Sequence, residues 1–301
     1  MNSKNTKWIF LTALSLIWGS SFILMKRGLV YFRPDQVAAL RMVIAFVVAF
    51  PFCVRQFLKI EKSRWKYIAV VGIFGSGLPA ILFTTAQTRV NSSLAGMLNS
   101  LTPVFTMLIA SFFFRTKYTT IQITGVIAGF LGATALVIVN AHGGISTDAE
   151  YAMLIVLATV FYGISVNTIK AHLGDINSFV ISGFALLFVA VPYGIYLFST
   201  DFVHRLTTIP QAWLGCSYIA TLAILGTAVS NILYFQLVKI ASPLFASAVT
   251  YLIPIVALFW GIADGETLNI LHIPAMLAIL GGIALISYRK NAPLPSEKVI
   301  K

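Results

Sequence analysis

Charge is what this chain has least of. Only 10% of its 301 residues are charged, 58% are hydrophobic, and the mean hydropathy is +0.90. A water-soluble domain carries about 25% charged residues, so this chain cannot cover a wetted surface and most of its exterior is expected to face lipid. Cysteine is scarce too. Cys53 and Cys216 stand in apolar runs and support neither a disulfide framework nor a metal cluster. His142, His172, His204 and His272 stand at the ends of apolar runs and form no ligand set. No glycine loop ends in Lys-Ser/Thr, and no His-Glu-x-x-His or Gly-x-Ser-x-Gly occurs. ATP hydrolysis, zinc proteolysis and serine hydrolysis therefore lack their residues, and no enzyme activity, cofactor or metal is expected. No carboxylate lies in the middle of an apolar run, which argues against a proton-coupled exporter of cations. Asp264 and Glu266 fall in a link before the last run, where acids near a helix N-terminus are ordinary dipole partners.

What the chain does have is apolar runs. Ten are read, near 8–29, 36–54, 67–85, 93–114, 121–139, 151–169, 177–198, 212–236, 244–263 and 270–288. Each is close to the ~20 residues that cross a 30 Å hydrocarbon layer as a helix, and the links are short. The first lacks a small-residue cleavage site and is long enough to span, so it reads as a membrane helix and not a signal peptide. The polar, proline-bearing tail Asn291–Lys301 is expected to lack structure. The formal net charge of +12 does not point to nucleic acid, because the positives crowd into the links. With the N-terminus inside, the inner links hold fifteen Lys and Arg and the outer ones five. By the positive-inside bias, both termini are cytoplasmic.

Sliding the chain on itself is more informative. At a shift of 151, residues 75–116 fall on 226–267 without a gap, pairing Gly75 with Gly226, Leu101 with Leu252, Pro103 with Pro254 and Thr116 with Thr267. At 144, Ser15, Trp18, Gly19 and Lys26 meet Thr159, Tyr162, Gly163 and Lys170; at 141, Phe50-Pro51-Phe52 meets Val191-Pro192-Tyr193. The expectation is two five-helix repeats, 8–140 and 150–289. Five is odd, so the second enters the membrane inverted. Such pairs hold a midplane site between the halves and alternate between two openings.

The candidate site comes from polar and aromatic residues at helical spacing within the runs. Gly96, Asn99, Ser100 and Pro103 share one face, and so do their partners Ser247, Thr250, Tyr251 and Pro254. Polar stripes of this kind are costly against lipid, so they face protein or a water-filled cavity. Pro103 and Pro254 are expected to kink their helices and act as hinges; the competing reading is a packing stripe whose kinks only shape the bundle. Trp18 with Phe22, Tyr162, Ser76 with Phe83 and Gln87, and Thr227 with Ser230, Asn231 and Tyr234 mark further faces. An aromatic body with a polar tip suits a pocket for planar or apolar solutes, while interface anchoring is the plain alternative for Trp and Tyr. The candidate cavity set is Trp18, Phe83, Gln87, Asn99, Ser100, Tyr162, Asn231, Tyr234 and Tyr251. Arg41, the charge clearly inside a run, is read as structural or gating. Lys26 and Lys170 read as snorkelling side chains. Gly125-xxx-Gly129, Ala128-xxx-Gly132 and Ala278-xxx-Gly282 read as a close-packing seam, within the monomer or at a homodimer contact.

Ile17-Trp18-Gly19-Ser20-Ser21-Phe22, Ala39-Leu40-Arg41, Tyr251-Leu252-Ile253-Pro254, Gly265-Glu266-Thr267 and Leu280-Gly281-Gly282-Ile283-Ala284-Leu285 occur in this order within the repeated chain. In this the chain resembles the EamA-type members of the drug/metabolite transporter superfamily. The first repeat departs from the pattern, having Arg115 where the second has Glu266. The resemblance implies a multi-pass carrier of a bacterial inner membrane that exports amino acids or related metabolites. It also implies a central cavity with the fifth and tenth helices peripheral. Small multidrug relatives use a glutamate in the first helix, and this one has none. The expected partners are a small neutral or zwitterionic solute and the bilayer, with a lipid-linked substrate flippase of the same fold as the alternative. The state is monomer or homodimer.

Overall fold

Inside a bilayer each backbone N–H and C=O must find its partner within the chain, and a helix does this segment by segment. The computed structural model describes residues 3–90, 92–140, 149–263 and 270–288. Of the described residues 87% are helical, and none lies in a strand. His142, Asp264, the run Gly265-Glu266-Thr267 and the tail Asn291–Lys301 lie outside the described residues.

The helices are α1 (Ser3–Gly28), α2 (Pro34–Cys53), α3 (Trp65–Gly72), α4 (Leu78–Ala86), α5 (Ser92–Asn99), α6 (Thr102–Phe114), α7 (Thr120–Asn140), α8 (Ala149–His172), α9 (Ser178–Ser199), α10 (Phe202–Thr208), α11 (Ala212–Ala223), α12 (Ser230–Ile240), α13 (Pro243–Ser247), α14 (Val249–Ala263) and α15 (His272–Ser287). Among the described residues seven stretches are long and apolar enough to cross a membrane: Asn5–Gly28, Pro34–Phe57, Lys62–Ala86, Leu94–Phe114, Ala149–His172, Ser178–Ser199 and Ala212–Ile240. Shorter apolar helices occupy Thr120–Ala135, Pro243–Val256 and His272–Ser287. The exterior is apolar as the composition requires, with Phe112 and Phe113 80% and 79% exposed.

Two helices carry one extra residue in a turn. α3 passes into α4 through a π-helical turn at Ile73–Gly77, and α11 passes into α12 through another at Ile224–Val229. A π turn widens the ring and loosens the carbonyls beside it. Those carbonyls are used. Tyr193 donates its hydroxyl to Gly77 O at 3.1 Å, and Trp18 donates Nε1 to Gly226 O at 3.1 Å. The two turns begin 151 residues apart, the spacing of the sequence repeat.

The packing obeys the same correspondence. α2 lies along α9, its own counterpart, and α7 lies along α15, its counterpart; α1 crosses α14 as α8 crosses α6. The small-residue seam is therefore made within the monomer. A methyl group on Gly282 would come within 2.6 Å of Gly129 N, and one on Gly132 within 2.8 Å of Ala275 O, so both glycines are needed for backbone contact. The buried apolar residues form separate clusters. One cluster includes Leu11, Val166, Ile169, Phe184, Tyr251 and Ile283, and another includes Met25, Val37, Phe83, Ala158 and Ile219.

Charged groups gather at the two ends. At one, Asp201 accepts from Arg205 Nε at 2.7 Å and from Gln36 Nε2 at 2.8 Å, while Asp35 accepts from Tyr196 at 2.6 Å and pairs with Arg33 at 3.0 Å. At the other, Arg64 meets Asp175 at 3.5 Å and donates to His172 O, and Lys239 donates to Ile176 O. Lys170 donates Nζ to Lys239 O at 2.9 Å.

The structure corrects one expectation. Pro103 is not in mid-helix. The stretch 92–114 breaks after Asn99, and Pro103 takes the first turn of α6, where no intrahelical donor is needed. Pro254 does lie inside α14, five residues beyond its start. The break in the second half instead falls at Ala248, between α13 and α14.

Candidate solute cavity

Where α1, α4, α8 and α12 converge, the side chains leave a cavity of about 100 Å³. At ~30 Å³ per water in the liquid, it holds a small solute or a few waters. Trp18, Ser21, Phe22 and Met25 come from α1, and Arg41 and Met42 from α2. Gly75 and Ser76 come from the first π turn, and Ala80 and Phe83 from α4. Asn99 and Thr102 flank the break before α6, and Tyr162 and Ser165 come from α8. The second π turn gives Gly226 and Thr227, α12 gives Asn231, Tyr234 and Phe235, and α14 gives Thr250 and Ile253.

Most of this lining is pairwise equivalent under the sequence repeat. Trp18 and Ser21 correspond to Tyr162 and Ser165; Gly75, Ser76, Ala80 and Phe83 to Gly226, Thr227, Asn231 and Tyr234; Asn99 and Thr102 to Thr250 and Ile253. The exceptions fall mainly on one side. Phe22, Met25 and Arg41 line the cavity, but their counterparts Val166, Ile169 and Ser182 are each 0% exposed. Ser182 Oγ has no hydrogen-bond partner among the described residues.

Aromatic rings form the walls. Trp18 and Tyr234 meet at 5.2 Å, Phe22 and Phe83 at 6.2 Å, and Phe83 and Tyr162 at 6.2 Å with their planes 29° apart. Polar groups sit between them. Asn231 donates Nδ2 to Ser76 Oγ at 3.1 Å, tying the two π-turn helices together. Thr102 donates to Asn99 O at 2.7 Å and caps the break. Arg41 donates Nε to Thr227 Oγ1 at 2.7 Å and Nη2 to Gly226 O at 3.4 Å. Arg41 is the charged member of the lining, and it pairs with no carboxylate among the described residues. Among those residues no three His, Cys, Asp or Glu side chains converge.

Of the sequence candidates, Trp18, Phe83, Asn99, Tyr162, Asn231, Tyr234 and Arg41 come together here. Three do not. Gln87 caps α4 and reaches Ser92 Oγ at 3.3 Å. Ser100 donates to Gly96 O at 3.1 Å and Thr250 O at 3.3 Å, locking α5 to α14. Tyr251 is 0% exposed and donates to Val126 O at 2.9 Å, its ring resting on Gly129. Ser21 and Ser165 escaped the helical-face reading. They are a repeat pair one turn beyond Trp18 and Tyr162, so the self-alignment carried the signal that finds them.

The sequence matches the profile of the EamA-like transporter family twice, over residues 6–138 and 150–288. The chain is 23% identical over 299 residues to the "uncharacterized inner membrane transporter YedA" of Escherichia coli, covering 96% of this chain and 93% of that one. It is 24% identical over 286 residues to a "probable terminal-alkyne amino-acid exporter" of Streptantibioticus cattleyicolor, covering 93% and 91%. A solved crystal structure superposes with a TM-score of 0.70 at 16% identity, covering 93% of this chain and 96% of that chain.

Proposed function

The chain belongs to the EamA-like transporter family, and on that premise we propose that it is a secondary transporter that exports small metabolites such as amino acids. It works by alternating access between two inverted five-helix repeats, 8–140 and 150–289, which make ten membrane spans. It resides in a bacterial inner membrane with both termini in the cytoplasm.

One observation carries this reading: the cavity is shared by the two repeats, yet is lopsided. Equivalent residues from both halves meet at its centre, while Phe22, Met25 and Arg41 line it and Val166, Ile169 and Ser182 are packed away. A carrier caught in one of two mirror-related states has this asymmetry. In the opposite state the packed set would open and the first set would close. Ser182 Oγ, unpartnered among the described residues, fits that picture, because a buried hydroxyl without a bond is costly and exposure to a water-filled cavity would relieve it. The two π turns supply loosened backbone where α3–α4 and α11–α12 must flex. The aromatic and amide lining, and a relative named as an amino-acid exporter, support the solute class.

The test is uptake of radiolabelled amino acids into proteoliposomes, with and without a pH gradient. Uptake that needs Trp18, Tyr162 and Asn99 and ignores the gradient supports a facilitative metabolite carrier. Stable, correctly oriented protein that moves no amino acid, but redistributes labelled lipid between leaflets, replaces this reading with the flippase.

A further inference from the structure

We propose that Arg41 is the carboxylate receptor of the cavity, so that the solute is an organic acid or amino acid bound by its carboxylate. The inference rests on the transporter reading above and names the chemistry its site selects.

An arginine cannot shed its charge, so a guanidinium in a largely apolar lining is costly until an anion meets it. Arg41 meets none among the described residues. Its Nε is spent on Thr227 Oγ1 at 2.7 Å, and Nη2 lies 3.4 Å from Gly226 O. Nη1 makes no hydrogen bond among the described residues, and Arg41 forms no ion pair there. The side chain is thus tethered along one edge and open along the other. That edge presents two N–H vectors side by side, the fork that matches a carboxylate.

The tether is specific. Thr227 and Gly226 belong to the second π turn, and Gly226 O also takes the Trp18 indole. The guanidinium is fixed relative to the aromatic wall of Trp18 and Tyr234, where the remainder of an amino acid would lie. Asn231 donates Nδ2 to Ser76, and its Oδ1 accepts no hydrogen bond among the described residues, which suits an ammonium donor. A lone cation in the lining also repels cationic solutes.

The experiment measures binding by thermal shift of the purified full-length chain in detergent. The probes are leucine and phenylalanine, their carboxamides, and the amines that lack the carboxyl group. The amino acids are expected to stabilise the protein, and the amides and amines to bind at least about tenfold more weakly. R41Q is expected to lose about the same factor for the amino acids, and R41K to fall between, because it keeps the charge and loses the fork. Should R41Q fail to fold, T227V keeps the guanidinium and frees its tether; it is expected to retain selectivity for acid over amide at lower affinity. Equal binding of acids and amides, unchanged binding by R41Q, or no stabilisation by either amino acid overturns the proposal. Counterflow on the same preparations after reconstitution into proteoliposomes separates the two readings. Arg41-dependent binding without transport sinks the carrier and leaves the site; transport indifferent to Arg41 does the reverse.

Discussion

Trp18, in the first half of the chain, donates its indole N–H to the carbonyl of Gly226 at 3.1 Å, in the middle of the second half's π turn. The bond joins a cavity wall to the backbone element whose geometry makes a carbonyl accessible. Trp18→Phe keeps an aromatic ring, removes the donor and trims the five-membered half of the indole. It is expected to cost about 1 kcal/mol of stability, read as a lower unfolding temperature, and to slow transport beyond that loss. An unchanged unfolding temperature and rate would show that the bond contributes nothing.

Gly282 and Gly281 offer a neighbouring pair with opposite outcomes. Added carbon on Gly282 meets Gly129 N at 2.6 Å and Gly125 O at 2.7 Å, while Gly281 has nothing within 4 Å. Gly282→Leu should force α7 and α15 apart and cost at least about 1–3 kcal/mol, the usual range for overpacking. Gly281→Leu should be tolerated. Thermal unfolding in detergent separates the two, and equal behaviour would rule out the seam.

The two prolines should not behave alike. Pro254 interrupts α14 from within, whereas Pro103 occupies the first turn of α6. Alanine at 254 restores a donor within the helix and is expected to stiffen it, lowering the transport rate more than solute affinity. Alanine at 103 should give the smaller change in rate. A larger effect at 103 would contradict the hinge assignment.

The end cluster around Asp201 predicts an acid sensitivity. The hydrogen bond from Arg205, with help from Gln36 and Arg33, holds this carboxyl below its ordinary value of 3.8. A depressed acid stabilises the fold at pH above its unfolded value and loses that contribution as pH falls through the folded one. Unfolding temperature should therefore drop below about pH 4 more in the parent than in Asp201→Asn, and the difference should shrink in high salt, since the group is exposed. Parallel pH profiles would dismiss the cluster as a contributor.

Much of the fold was legible because hydrophobic runs of bilayer length admit one backbone solution. The helical faces also named most of the lining: Trp18, Tyr162, Asn99 and Asn231 are polar or aromatic where lipid would demand aliphatic side chains. Tyr251 and Ser100 passed the same test and yet bond to backbone carbonyls at helix crossings. A buried polar group reads alike in sequence whether its partner is solute or main chain. The π turns left no residue pattern to find, because one extra residue per turn shifts the face of the later helix without changing composition. Arg41 was legible as a charge in an apolar run, but its partner Thr227 lies 186 residues away, and nothing local announces such a contact.

The matched π turns also speak about ancestry. Inserting a residue into a packed helix rotates every later side chain of that helix by about 100°, a change that rarely survives. Finding it at Ile73–Gly77 and again at Ile224–Val229 argues that it was inherited by both halves from a shorter forebear.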